Sequence, residues 1–195
     1  MYTEEVDTLA KEYVSQIPIS VLLIDDEFLI GEAMRIKLST EHDISFHYCK
    51  EPDKALEKAY TAQPTVIMLD LVMPGVNGLT MVKFFKNSED FRSIPLIVLS
   101  AREEPELKRK AVALGANDYM IKLPDKTELV ARIRCHSERY IFKRQRDELI
   151  TKLNARSGQR HFNTSDAEVT NQPVPASDGG DRKSTRLNSS HEPLS

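Results

Sequence analysis

The chain has 195 residues with 27 lysines and arginines against 30 aspartates and glutamates, a net charge of −3. The length fits one domain of ordinary size with about 40 residues over, and the near-balance of charge argues against a surface devoted to gripping nucleic acid. Cys49 and Cys135 make no CxxC and pair with no histidine at zinc-ligand spacing, which argues against structural zinc and fits a reducing compartment. The longest apolar runs, Val21–Ile24 and Leu96–Leu99, are far short of the roughly 18 residues of a membrane span. The start, Met-Tyr-Thr-Glu-Glu, has neither the basic nor the apolar segment of a secretory signal. The expectation is a cytoplasmic protein with no membrane partner.

In chain order, residues 1–17 form an extension with a short helix over about Glu4–Ser15. Ile19–Asp25 is an apolar run of strand length, and Phe28–Leu38 has helical apolar spacing. Ile44–Cys49 predicts a strand. Pro52, at a first-turn position, opens a helix to about Ala62. Thr65–Asp70 is a third strand, Gly75 to Gly78 a loop, and Leu79–Asn87 a helix. Pro95–Ser100 is a fourth strand, and Glu103–Leu114 a helix with Pro105 in its first turn and Gly115 at its end. Asn117–Lys122 is a fifth strand, and a long helix runs from Asp125 to about Leu153. Five strands apolar on both faces, each followed by a helix, predict an α/β fold, a doubly wound (βα)5 with a parallel five-stranded sheet.

Function in such sheets gathers at the C-terminal strand ends. Here strand one ends in Asp25-Asp26, strand three in Asp70, strand four in Ser100 and strand five in Lys122. Each residue alone has a bland reading: a turn or helix-cap aspartate, an N-cap serine, a solvated lysine. Together on one edge they make another chemistry. Three converging carboxylates repel and stay partly protonated unless a cation neutralises them, and all-oxygen ligands suit a hard ion such as Mg²⁺. A carboxylate nucleophile, a divalent metal, a lysine and a hydroxyl describe phosphoryl transfer to an aspartate.

The segments I-D-D-E, L-D-L-V-M-P-G-V-N-G-L at 69–79, I-V-L-S-A at 97–101 and G-A-N-D-Y-M-I-K at 115–122 resemble the receiver domain of bacterial two-component response regulators, the CheY-like superfamily. The likeness covers about residues 18–140. The wording of V-L-L-I-D-D-E-F-L-I-G-E-A, I-V-L-S-A-R-E-E-P and G-A-N-D-Y-M-I-K-L-P-D-K-T-E-L-V-A-R-I-R is similar to the receivers of Wsp-type diguanylate cyclase regulators, in which a helical stalk and a GGDEF cyclase domain follow. The resemblance implies a phosphorelay role. Asp70 would be the phosphoacceptor, and Asp26, Asp70 and the Val72 backbone carbonyl would hold Mg²⁺, with Asp25 acting through water. Lys122 would pair with the phosphoryl group. Ser100 would bind it after activation, and Tyr119 would swing inward as Ser100 moves. Val72 and Arg102 occupy positions that often tune dephosphorylation.

The implied partner is a sensor histidine kinase, with a missing or separate effector domain and a phosphorylation-dependent homodimer. The chain is not expected to be an enzyme beyond promoting its own phosphotransfer and dephosphorylation. One departure stands out: the family usually places Pro directly after the lysine, whereas Leu123 intervenes in Lys122-Leu123-Pro124.

Residues 141–153 continue the last helix, 154–180 are expected to be a disordered linker on composition, and Asp181–His191 (D-R-K-S-T-R-L-N-S-S-H) resembles a translated sequencing-library adapter. Residues 181–195 are therefore set outside the natural protein, and an effector domain is expected beyond the break. Gly179-Gly180-Asp181 is followed by Arg-Lys and is not a GGDEF motif. Residues 132–160 carry nine lysines and arginines against three acids, read as a solvated helix face with no nucleic-acid binding by this chain itself. A stand-alone receiver, acting as adaptor or phosphate sink, is the alternative. A DNA-binding regulator would need a helix-turn-helix that these residues lack, and Asp70-Leu71-Val72 lacks the second acid of haloacid-dehalogenase phosphatases.

Overall fold

The computed structural model describes residues 18–162, and side chains as far as residue 155. The expected N-terminal helix, the linker after residue 162 and the adapter-like segment lie outside the described residues.

Strand β1 (Ile19–Ile24) leads to helix α1 (Phe28–Leu38), then β2 (Ile44–Cys49) and α2 (Ala55–Ala62), which a 3-10 turn at Pro52–Lys54 introduces. Strand β3 (Val66–Asp70) precedes α3 (Gly78–Asn87). Strand β4 (Leu96–Ser100) precedes α4 (Pro105–Ala113), and β5 (Asp118–Ile121) precedes α5 (Lys126–Phe162). The five strands pair in the order β2-β1-β3-β4-β5, every pair parallel. This is the doubly wound sheet that the alternation of elements predicts.

Side chains that alternate along a strand supply two separate cores. Leu22, Ile24, Ile67, Leu69, Leu96 and Val98 pack with α2, α3 and α4 residues such as Ala59, Phe85 and Ala111. Val21, Leu23, Val66, Met68, Ile97 and Leu99 pack on the other side with Ile30 and Met34 of α1 and Leu129 and Ile133 of α5. Being buried on both faces explains why the central strands read as unbroken apolar runs.

Two local features depart from the sequence reading. The loop at Gly75 is a two-residue hairpin ladder, Val72–Met73 against Val76–Asn77, closed by Gly75 at φ 72°. Helix α5 continues to Phe162, past Leu153 and into the stretch that composition assigns to a disordered linker. The nine further residues, 154–162, are carried by a helix already nucleated on the sheet, so only propagation is required of them.

Gly78 fixes how α3 meets the sheet. A Cβ there would stand 2.4 Å from the Leu71 Cα and 2.7 Å from the Asp70 carbonyl oxygen. The Gly78 N–H donates to the Leu71 carbonyl at 3.3 Å, and Asn77 caps the helix by accepting from the Leu79 and Thr80 N–H groups. Gly78→Ala is therefore expected to push backbone against backbone, costing about 1–3 kcal/mol in denaturant unfolding and shifting the peptide that carries Asp70.

Candidate functional site

The site forms where β1 and β3 lie side by side, with Ile24 opposite Leu69. The chain turns out of β1 through Asp25 and Asp26, and β3 ends on Asp70. Each of the three acids offers a carboxylate oxygen within 4.8 Å of the other two. Asp25 and Asp70 are buried and Asp26 is half-buried. Asp25 Oδ1 accepts from the Glu27 N–H at 2.9 Å, and Asp70 Oδ1 accepts from the Val72 N–H at 3.0 Å.

Lys122 arrives from the end of β5, its N–H bonded to the Ser100 carbonyl at 2.7 Å. Its Nζ lies 3.0 Å from Asp70 Oδ2, 3.2 Å from Asp25 Oδ2 and 2.6 Å from Glu27 Oε1. The extra residue after it is absorbed by Leu123, which takes a left-handed backbone at φ 58° and leaves its side chain largely exposed. A leucine in that region costs about 1–2 kcal/mol, which the ion pairs of Lys122 and the start of α5 on either side hold in place.

Burial drives the electrostatics. Loss of water raises the Asp25 carboxyl from 3.8 to about 6; the Glu27 N–H and the Lys122 charge pull it down, and the neighbouring Asp70 pushes it up. At Lys122 burial favours the neutral amine, yet hydrogen bonds to Glu27 and Asp70 and the charges of Asp25 and Asp70 outweigh it, so its pKa is raised.

Ser100 and Tyr119 meet at one acceptor. The Ser100 hydroxyl donates to the Arg102 carbonyl at 2.8 Å, and the Tyr119 hydroxyl donates to the same oxygen at 2.9 Å. The Glu104 N–H donates to the Tyr119 hydroxyl at 3.3 Å, and Lys108 Nζ sits 5.7 Å from the ring centroid. The Tyr119 ring is only 7 % exposed and belongs to the α2–α4 core. In this structure the ring is already inside while Ser100 faces the loop, and the one loop carbonyl accepts from both hydroxyls.

The donor set fits a hard divalent cation. All ligand atoms are oxygens, and two buried oxygens, Asp25 Oδ2 and Asp26 Oδ1, accept no hydrogen bond. The Lys122 contact to Asp25 Oδ2 is an ion pair without hydrogen-bond geometry.

The profile of the response regulator receiver domain matches residues 21–134, more than half of the chain. The chain belongs to this family. The Staphylococcus aureus transcriptional regulatory protein KdpE is 34 % identical over 117 residues, 58 % of this chain and 48 % of that protein. The Escherichia coli phosphate regulon transcriptional regulatory protein PhoB is 32 % identical over 114 residues, 58 % of this chain and 49 % of that one. The receiver domain of Francisella response regulator 1452 superposes with a TM-score of 0.54 at 28 % identity, covering 61 % of this chain and 96 % of that one. The chain spans about half the length of these curated relatives. Receiver domains bind Mg²⁺ at an acidic aspartate cluster, and this receiver has that cluster in Asp25, Asp26 and Asp70. No helix among the described residues is long and apolar enough to cross a membrane.

The structure thus gathers Asp25, Asp26, Asp70 and Lys122 as the strand ends predict, and sets Ser100 at the same sheet edge, turned to the loop. Sequence reasoning missed Glu27, the nearest carboxylate to Lys122. Its place directly after Asp25-Asp26, at the start of α1, was the available signal, but a helix-start glutamate reads as solvated. It also missed the Arg102 carbonyl, since a backbone acceptor leaves no mark in a sequence.

Proposed function

We propose that this receiver is the cytoplasmic phosphoacceptor of a two-component relay, taking a phosphoryl group on Asp70 from a sensor histidine kinase. The observation that carries the reading is the setting of Asp70: a buried carboxylate at a strand end, one oxygen held by the Val72 N–H and the other 3.0 Å from the Lys122 ammonium, inside a cluster of cation-binding oxygens. Asp26, Asp70 and the Val72 carbonyl would hold Mg²⁺, with Asp25 assisting through water; when bound, the ion neutralises carboxylate charge and polarises phosphoryl oxygens. An Asp70 oxygen forms the new P–O bond as the P–N bond to the donor breaks, the electron pair and a proton going to the leaving nitrogen. Lys122 meets the growing charge on the phosphoryl oxygens. Phe28 and Leu29, exposed at the start of α1 just after the acids, and Ile36 two turns further on, offer apolar anchors for a kinase surface.

Ser100 leaves the Arg102 carbonyl for a phosphoryl oxygen, which frees the loop before α4 and changes the α4–β5–α5 face, where Val112 and Ile121 are exposed. That face passes the signal on, through a homodimer or an effector. The effector in this reading is a diguanylate cyclase of the Wsp type, supported by the wording of the receiver segments and by the helix that runs on to Phe162 as a stalk would. Residues 181–195 are read as adapter-derived, on the match at Asp181–His191.

The test is intact-mass labelling with phosphoramidate and Mg²⁺. Wild type is expected to gain one phosphoryl group that is lost on hydroxylamine treatment, and Asp70→Asn to gain none. Labelling of Asp70→Asn at the wild-type rate would overturn the assignment.

A further inference from the structure

Glu27 makes the shortest contact to Lys122, yet its carboxylate belongs to neither the acid cluster nor a helix-cap hydrogen bond. Its backbone is pinned: the N–H donates to Asp25 Oδ1 at 2.9 Å, and the carbonyl accepts from the Ile30 and Gly31 N–H groups at 3.0 and 3.2 Å. It stands at the N-cap of α1, where a side chain ordinarily accepts from the first turn, but it makes no such bond. Its carboxylate is instead 2.6 Å from Lys122 Nζ. An ammonium has three protons to donate, and the Lys122 ammonium faces three carboxylates, those of Asp25, Glu27 and Asp70. Two of those protons go to Glu27 Oε1 and Asp70 Oδ2, while Asp25 Oδ2 makes an ion pair alone; a doubly charged phosphoryl group on Asp70 draws the ammonium inward, away from the carboxylate at the mouth of the site. Asp25 and Asp70 are fully buried, and the Glu27 side chain is 57 % exposed. Glu27 alone of the three can release the lysine and be rehydrated at once.

We propose that Glu27 is a positioning residue: its carboxylate is the resting berth of the Lys122 ammonium, and departure from it accompanies phosphoryl transfer to Asp70. The inference rests on the phosphoacceptor reading above. In the resting protein the berth draws the lysine toward the mouth of the site and adds a negative charge where an anionic donor enters.

Two substitutions separate the berth from the charge. Glu27→Gln removes both, whereas Glu27→Asp keeps the charge on a side chain one methylene shorter, which lengthens the 2.6 Å contact from the same backbone. Labelling of the full chain by phosphoramidate with Mg²⁺ is expected to quicken roughly three- to tenfold in Glu27→Gln, and to quicken in Glu27→Asp as well. The ¹⁵N resonance of the Lys122 ammonium is expected to be sharp and slowly exchanging in the resting wild type and broadened in both variants, with backbone spectra unchanged. Addition of beryllofluoride with Mg²⁺ should make the three resonances alike. Glu27→Asp labelling at the wild-type rate would reduce the effect to charge at the mouth and overturn the berth, as would an unchanged ammonium resonance in Glu27→Gln. Failure of the wild type to label at Asp70 would overturn the phosphoacceptor reading instead, because the resting ammonium resonance is read without any donor.

Discussion

Asp25→Asn is expected to make the metal-free protein more stable at neutral pH, by up to roughly 3 kcal/mol. The cause is the burial that lifts the Asp25 carboxyl to about 6. The folded state then binds its proton more tightly than the unfolded chain does. That stabilisation is fully present below the unfolded value near 4 and is lost as pH rises through 6. Above pH 7 the wild type carries an ionised, buried Asp25 against the charge of Asp70, and asparagine removes the charge while keeping the shape. The gain should therefore be absent near pH 4, grow between pH 4 and 6, and level off above pH 7. Denaturant titrations of the two proteins at five pH values measure it directly. His47, whose pKa is lowered by burial, changes stability in the opposite sense below its ordinary 6.5, but it is common to both proteins and cancels in the difference. Millimolar Mg²⁺ should stabilise the wild type more than the variant and narrow the gap. A flat difference across pH would show that Asp25 is ionised at no cost.

The second large effect separates receiving the phosphoryl group from responding to it. Moving a population from mostly resting to mostly active takes about 5.5 kcal/mol of differential interaction. A charge-assisted hydrogen bond from Ser100 supplies about 1.5–3 kcal/mol, so Lys122 has to provide much of the remainder. Ser100→Ala should label normally and switch weakly. Lys122→Ala should still label, slowly, and lose nearly all of the change that beryllofluoride with Mg²⁺ produces in the Tyr119 ring resonances and in sedimentation. The Tyr119 ring is already buried and shares the Arg102 carbonyl with Ser100. The resonance change is therefore expected at the hydroxyl and at Arg102 and Glu104, not as a passage of the ring from solvent to core. Full switching in Lys122→Ala would sink this division of roles.

The parallel sheet was legible because β1, β3 and β4 are apolar on both faces, and nothing but helices on both sides explains such runs. The acid cluster was legible because the C-terminal ends of parallel strands lie along one edge of the sheet, so residues that end β1 and β3 are neighbours. Leu123 was visible as an insertion, but its left-handed backbone was not, since leucine carries no preference for that region. The close approach of Gly78 to Leu71 was hidden for a related reason: a glycine at the end of a turn sequence reads as flexibility, and here it is clearance. The state of Tyr119 depends on a backbone carbonyl in the preceding loop, and the run of α5 to Phe162 depends on a helix nucleated elsewhere; neither is a property of the residues concerned.

The strand order has a consequence for the life of the chain before it signals. Asp25 follows the first strand and Lys122 the last, and β3 and β4 lie between those strands in the sheet. During synthesis the acids leave the ribosome long before the lysine exists. Until β5 docks, Asp25 and Asp70 face each other without the ammonium that lies within 3.2 Å of both in the finished sheet. The ion pairs of the site therefore close over most of the length of the domain, from Asp25 to Lys122. A nascent or clipped chain that stops short of Lys122 carries the proposed phosphoacceptor, Asp70, without the lysine that pairs with it. On the proposed reading, an answer to phosphorylation needs the complete sheet, because Lys122 joins the acids only when β5 docks.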